Sequence, residues 1–124
     1  MDISRTVRSK IPAIPFAEIA RHVLGEDYEL SLVLCGDALA RRMNRVYRKK
    51  EYSPNVLSFP YSRSEGEIFL NVRKAEREAK NYGTTTRKRL ALLFVHACFH
   101  LEGFDHGVTM EARERDVLRE FNLS

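Results

Sequence analysis

The stretch LALLFVHACFHLEGFDHG, residues 90–107, combines a nearly continuous apolar segment with three of the protein's four histidines. Its length and spacing predict an apolar helix from about residue 86 to residue 102. The threonines at 84–86 offer N-caps for this helix. Gly103 predicts its end, because glycine readily adopts the left-handed conformation that terminates helices. The histidine-bearing helix is therefore placed near the C-terminus.

The spacing of the three histidines predicts a metal site. His96 and His100 are four residues apart, so on a helix they share one face with Cβ atoms about 5–6 Å apart. Both rings could then reach one ion at the usual zinc–nitrogen distance of about 2.0–2.1 Å. His106 would arrive as a third ligand from the loop after Gly103. Three ligands with an open fourth position are typical of catalytic zinc sites.

Each of these histidines alone would be interpreted as a core or capping residue, and His22 on an earlier helix keeps that interpretation. Asp105 could orient the ring of His106 or His96, or it could cap a turn. We expect one zinc ion per chain, although another divalent transition metal would also accept three imidazoles.

A three-histidine zinc site suggests hydrolysis, because the ion lowers the pKa of its water and polarises carbonyl or phosphoryl oxygens. The pattern H-x3-H-x2-G-x2-H also matches the spacing of one class of metallopeptidases. Those enzymes carry a general-base glutamate directly after the first histidine. Here that position is Ala97, and Glu102 is expected to point elsewhere. The chain therefore has the histidine spacing of these peptidases but lacks their general-base glutamate.

The rest of the chain predicts one α+β domain spanning residues 1–124, with a small mixed β-sheet packed with helices. The element order is expected to be βαβαββααα. Asp37 is predicted to cap the second helix. The apolar stripe of that helix is expected to comprise Leu39, Met43, Val46 and Tyr47. Residues 53–61 predict a short strand near a sheet edge, because prolines bracket it.

Composition limits the function classes. The longest apolar run is far short of the roughly 20 residues that a membrane span needs, so no membrane association is expected. Cys35 and Cys98 lie in apolar stretches, which is typical of buried thiols in a reducing, cytoplasmic setting. The net charge is +4. Two basic clusters stand out, RKR at 87–89 and a longer one made up of Arg41, Arg42, Arg45, Arg48, Lys49 and Lys50. These cations could contact phosphates or form a solvated helix face.

Two separated motifs give the chain a family resemblance. HACFHLEGFDH, at 96–106, resembles the H-G-x-L-H-L-x-G-Y-D-H signature of the YbeY family of metal-dependent endoribonucleases. MNRVYRKKEYSPNVLSFPY, at 43–61, resembles that family's L-N-x-x-Y-R-x-K-D-x-P-T-D-V-L-S-F-P. The resemblance covers about residues 28–121. The main departure is Ser53, Pro54 and Asn55 in place of the family's Pro, Thr and Asp.

The resemblance implies a function in ribosomal RNA maturation and ribosome quality control, with ribosomal RNA and the small ribosomal subunit as partners. It places the metal ligands on His96, His100 and His106, and the family's functionally important arginine on Arg48. Arg48 would bind a phosphate or stabilise charge that develops on it. Asn44, Tyr47 and Ser58 also match motif positions and are assigned structural roles first.

Three hypotheses follow. The first is a single-strand endoribonuclease that hydrolyses phosphodiester bonds at a three-histidine metal site. The second is a ribosome-associated RNA-binding factor whose metal is structural. The third is a metallopeptidase, which the absence of a glutamate after His96 disfavours.

Overall fold

The computed structural model describes residues 1–124 as one α+β domain with a four-stranded mixed sheet and five helices. The predicted element order is confirmed. The elements are β1 (Asp2–Arg5), α1 (Phe16–Leu24), β2 (Glu29–Cys35), α2 (Asp37–Arg48), β3 (Val56–Ser62), β4 (Glu65–Asn71), α3 (Val72–Asn81), α4 (Thr86–Glu102) and α5 (Val108–Glu120).

The sheet has the strand order β1-β2-β4-β3. Strands β1, β2 and β4 are parallel, whereas β3 is antiparallel to β4 and forms an edge of the sheet. The pairing of β3 with β4 runs from Val56 opposite Leu70 to an irregularity between Pro60 and Ser62. The predicted edge position of this strand is confirmed. Pro60 does not end the strand as expected but lies within it, opposite Gly66, which an edge strand tolerates although proline cannot donate a backbone hydrogen bond.

The two faces of the sheet are covered unequally. Helix α2 packs on one face over a small cluster that contains Cys35, Leu57 and Phe69. The other face lies in the main core, to which α1, α3, α4 and α5 contribute. Alternating side chains of β2 and β4, such as Leu32 and Ile68, are fully buried there. The main core is therefore formed between the sheet and four helices.

Helix α4 lies at the centre of this core and contacts α1, α3, α5, β3 and β4. Its bounds match the predicted ones. The Thr85 side chain accepts a hydrogen bond from the Lys88 backbone N–H at 3.1 Å, which caps the first turn. Gly103 ends the helix in the left-handed conformation, with φ at 104°. The chain then turns back toward α4 through residues 104–107.

The predicted capping role of Asp37 is wrong. Gly36 occupies the N-cap position, and Asp37 is the first residue of α2. Its carboxylate instead accepts hydrogen bonds from Arg77 at 2.8 and 2.9 Å and from Asn71 at 3.0 Å. These contacts, those with Arg77 above all, lower the pKa of Asp37. Asp37 therefore ties α2 to β4 and α3.

The predicted apolar stripe of α2 is only half right. Leu39 and Met43 pack against the small cluster, but Val46 and Tyr47 are 58% and 64% exposed. The inward positions are held by the smaller Ala40 and by Asn44, whose Nδ2 donates to the Tyr52 carbonyl at 3.0 Å. The cluster under α2 is small, so the helix covers it without its C-terminal apolar residues.

Both cysteines are buried and free, as the apolar context predicted. Burial raises the pKa of the Cys35 thiol to about 11, so that thiol stays protonated at neutral pH. None of the five helices has both the length and the apolar composition to span a bilayer.

Candidate metal centre

A cleft of about 700 Å³ opens between α4, the edge strand β3 and the start of α5. Its walls include all three predicted metal ligands, His96, His100 and His106, together with Arg48. The fold thus brings the histidine motif and the basic motif, which are separated by about fifty residues in the sequence, to one concave site. Clefts of this size accept ligands as large as a nucleotide.

Helix α4 presents His96 toward this cleft, and α5 fixes the orientation of the ring. The Nδ1 atom of His96 lies 2.6 Å from Oε2 of Glu114, a carboxylate that is 6% exposed. An ionised carboxylate only accepts hydrogen bonds, so Nδ1 carries a proton and donates a hydrogen bond to Glu114. The other nitrogen, Nε2, is then left with a free lone pair when the ring is neutral.

His100 is oriented in the same way by the backbone. Its Nδ1 atom lies 3.1 Å from the Phe104 carbonyl oxygen, which can only accept, so Nδ1 donates here as well. Burial lowers the pKa of His100, and the neighbouring His96 lowers it further. His100 is therefore favoured as a neutral ring whose Nε2 is unprotonated, which is the form that binds metals.

The two Nε2 atoms of His96 and His100 lie 2.9 Å apart. When both rings are neutral and carry their proton on Nδ1, neither Nε2 has a proton to donate, and two lone pairs point into the same space. A cation between them would remove that repulsion. Neutral imidazoles are usual zinc ligands, and a carboxylate commonly orients one of them, as Glu114 does here. These two residues therefore fit the predicted metal.

His106 lies beside the pair but is not held as firmly. Its ring centroid is 5.6 Å from that of His96, and its Nε2 lies 3.5 Å from Oε1 of Glu111. Two-thirds of its side chain is exposed, so core packing does not fix the ring. No group of three histidine, cysteine or acidic side chains in the structure is arranged to hold a metal ion. The three-ligand set stays a prediction.

Asp105 is exposed, and the role of orienting His96 belongs to Glu114 instead. Two other residues that the sequence singled out lie away from the centre. Glu102 and His22 line a separate groove beside α1 and α5. There the His22 ring packs edge-on against Phe121 at 5.6 Å, in keeping with its interpretation as a packing residue.

Arg48 lies at the end of α2, where the helix meets the cleft. Its Nη2 donates to the Ser58 carbonyl at 3.2 Å, and its Cζ lies 5.7 Å from the centre of the Phe59 ring. No carboxylate lies within 4 Å of its guanidinium, so its charge is unpaired. The other cations of the longer basic cluster are exposed as well: Arg41, Arg42, Arg45, Lys49 and Lys50.

Sequence reasoning missed the acidic side chains of the cleft, Glu111 and Glu114. For Glu114 a signal was present, since it shares the apolar stripe of α5 with Met110, Val117 and Leu118. A carboxylate on the buried face of a helix requires a partner, because burying an unpaired charge is costly. That partner is His96. Glu111 is half exposed and carries no comparable signal.

A family model and individual relatives of known name point to the same protein family. The family model described as endoribonuclease YbeY matches residues 3–122. An endoribonuclease YbeY from Aromatoleum aromaticum is 43% identical over 95 residues, which cover 74% of this chain and 62% of that protein's length. The protein of the same name from Verminephrobacter eiseniae is 32% identical over 126 residues, covering 95% of this chain and 82% of its own.

The fold also matches a solved structure. The solution structure of a Thermotoga maritima protein superposes with a TM-score of 0.69 at 18% identity, covering 97% of this chain and 87% of that one. At this level of identity the match bears on the fold alone.

The contact between His96 and Glu114 generates a prediction about metal affinity. Replacing Glu114 by Gln keeps an acceptor for the His96 Nδ1 proton but removes the negative charge. Loss of such a partner typically weakens metal binding by about 10–100-fold, and we expect a change in that range here. Competition for zinc with a chelating dye measures it. The matched control Glu120→Gln, at an exposed position at the end of α5, should leave the affinity unchanged. Equal affinities of wild type and Glu114→Gln would contradict the assignment.

Proposed function

Because the chain belongs to the endoribonuclease YbeY family, whose name places it among the nuclease hydrolases, we propose that it is a metal-dependent single-strand endoribonuclease. Its metal would be one zinc ion held by His96, His100 and His106. Its substrate would be ribosomal RNA, processed in the cytoplasm during maturation and quality control of the small ribosomal subunit.

The observation that supports this proposal best is the meeting of two kinds of group in one cleft. Two imidazole lone pairs converge within 2.9 Å on one side, and the unpaired guanidinium of Arg48 lines the same cleft. Phosphodiester hydrolysis needs an activated water or hydroxyl and a cation where negative charge develops on the phosphate. The imidazoles would hold the metal that activates the oxygen, and Arg48 would be the cation.

Zinc bound by the histidines would supply Lewis-acid activation of the attacking oxygen and stabilisation of charge on the phosphoryl group. Glu114 would keep His96 in the tautomer that leaves Nε2 free. Arg48 would bind a phosphate oxygen with its guanidinium, which matches that geometry better than an ammonium does. Its side chain is positioned for this by the Ser58 carbonyl and the Phe59 ring.

RNA as the substrate is supported by charge on the surface next to the cleft. Arg41, Arg45 and Arg48 recur at helical spacing, so they lie along one side of α2 over about 10 Å. None of them has a carboxylate within 4 Å. Such a row suits successive phosphates. The cleft has room for nucleotide-sized groups, which suits the bases and phosphates of a single strand.

The first test is the cleavage of a single-stranded ribosomal RNA fragment by wild type and by His100→Ala. Loss of a ligand should remove zinc and lower cleavage by at least about 100-fold, since the metal supplies the main chemistry. Zinc content is measured by elemental analysis on the same samples. Circular dichroism should show the fold retained, because His100 faces the cleft and not the core.

The matched control is His22→Ala, purified in parallel, because His22 lies outside the cleft. It should keep both zinc and cleavage. Normal zinc content in His100→Ala would reject the ligand assignment. Equal cleavage by all three proteins would indicate a contaminating nuclease and would favour an RNA-binding factor without turnover.

A second prediction concerns Arg48. Replacement by Ala should leave zinc content unchanged and lower kcat/KM by about 10²-fold, the usual effect of removing one group that stabilises charge in a transition state. Arg48→Lys should recover only part of the loss, because it restores the charge but not the planar fork. The control Arg119→Ala, on the exposed side of α5, should cleave like wild type. Unchanged cleavage by Arg48→Ala would remove this residue from the site.

A further inference from the structure

Two further polar side chains line the cleft at the end away from the histidines, and together they form a polar wall. It is formed by Asn55, just before β3, and by Arg89 in the first turn of α4. Arg89 precedes His96 by seven residues, which places both on one face of the helix and about 10 Å apart along its axis. Val56, Leu92 and Leu93 line the cleft with them and supply its apolar surface.

This wall is organised by a carboxylate behind it. The Asn55 Nδ2 lies 3.2 and 3.3 Å from the two carboxylate oxygens of Glu78, on α3. The Nε and Nη2 atoms of Arg89 both lie 3.0 Å from Glu78 Oε1. The side chains of Arg89 and Glu78 are only 16% and 17% exposed. The ring of Tyr82 lies 4.9 Å from Arg89 Cζ and supports its other face. The three polar side chains are therefore held rigidly.

The hydrogen bonds of this network leave two groups free. The amide nitrogen of Asn55 donates to Glu78, so Oδ1 is the Asn55 side-chain atom that has no hydrogen-bond partner in the protein. This oxygen is not one of the buried polar atoms that lack a partner. In Arg89, Nε donates to Glu78 and Nη2 forms an ion pair with the same oxygen, whereas Nη1 makes no hydrogen bond to the protein. The wall thus presents one hydrogen-bond acceptor and one donor in a cleft with apolar sides.

Charge distinguishes this wall from Arg48. The guanidinium of Arg89 is neutralised by Glu78 at 3.0 Å, and the carboxylate would oppose the approach of a second anion. Arg48 has no such partner. Within one cleft, Arg48 therefore suits a phosphate, and the Asn55–Arg89 wall suits a neutral group with a polar edge and flat apolar faces. A nucleobase has both properties.

We propose that Asn55, Arg89 and the adjoining apolar side chains form a nucleobase-binding subsite, which takes a base of the RNA strand whose phosphate lies at the histidines and Arg48. This inference rests on the proposed function, which it deepens. It makes Asn55 and Arg89 specificity-determining residues, with Glu78 as the positioning residue behind them.

The subsite also gives a physical reason for Asn55, where the family motif carries aspartate. An aspartate here would bring its carboxylate to about 3.2 Å from that of Glu78, and the two like charges would repel each other. The neutral amide donates to Glu78 instead. In this chain the neutral amide of Asn55 and the cation of Arg89 are therefore both compatible with the negative charge of Glu78.

The test compares wild type with Asn55→Leu, which removes the free acceptor and leaves the pair between Glu78 and Arg89. The full chain is titrated with the four nucleoside 5′-monophosphates and with ribose 5-phosphate, which has no base, and binding is followed by NMR. We expect about tenfold weaker binding of the preferred nucleotide, in line with the loss of one hydrogen bond, and no change for ribose 5-phosphate. The matched control is Asn81→Leu, at an exposed position at the end of α3, which should bind like wild type.

The same proteins then cleave a pool of RNA oligonucleotides with random sequence, and the product ends are sequenced. Asn55→Leu should show a flattened base preference beside the cut, with kcat changed less than KM. Should Asn55→Leu fail to fold by circular dichroism, Asn55→Ser replaces it with the same expected direction.

The outcomes separate the two proposals. Unchanged nucleotide affinity together with an unchanged base preference in the variant overturns the subsite, while cleavage itself still supports the proposed function. Nucleotide binding that depends on Asn55 in a protein that cleaves no RNA supports the subsite and overturns the proposed function alone. Equal weakening of ribose 5-phosphate binding would show a phosphate site and overturn the assignment to a base.

Discussion

The burial of α4 is the constraint on which the rest of the structure depends. Nine of its seventeen residues are buried among the sheet and three other helices. That packing fixes the rotation of the helix about its axis, and so it decides which side chains remain for the cleft. The side chains of α4 that are not buried in the core and line the cleft recur at helical spacing: Arg89, Leu92, His96 and His100. A rotation by one residue, about 100°, would direct apolar residues such as Val95 and Phe99 into the cleft and turn the histidines toward the core.

The same packing brings together the polar pairs that orient the side chains of the cleft, Glu114 with His96 and Glu78 with Arg89. Glu114 is carried to His96 because α5 returns along α4 with Met110, Val117 and Leu118 in the same core. Glu78 is carried to Arg89 in the same way by α3. Each buried carboxylate has a cationic or N–H partner, as burial requires. The edge strand β3 closes the remaining side and brings Asn55, Ser58 and the supported side chain of Arg48 into place.

Much of the fold was predictable from sequence, because each element carries local signals. The alternation in β2, the prolines around β3 and the glycine after α4 all act within a few residues, and the element order derived from them is confirmed. Asp37 and Val46 show where local signals fail. Asp37 is a good capping residue, but it bonds Arg77, forty positions away, and Val46 lies beyond the small cluster that α2 covers. For the site, the spacing of His96 and His100 correctly placed two rings together, whereas the contacts of Glu114 and Glu78 depend on how helices pack.

The central claim is that three histidines of this cleft bind one metal ion, two of them through Nε2. Zinc titration of the ¹⁵N-labelled protein, followed through the imidazole nitrogen signals, tests it most directly. The account predicts saturation at one zinc per chain, large shifts of Nε2 in His96 and His100 with Nδ1 still protonated, a shift of one nitrogen in His106, and no change in His22. Saturation without any shift at His106, or coordination through Nδ1 of His96, would contradict it.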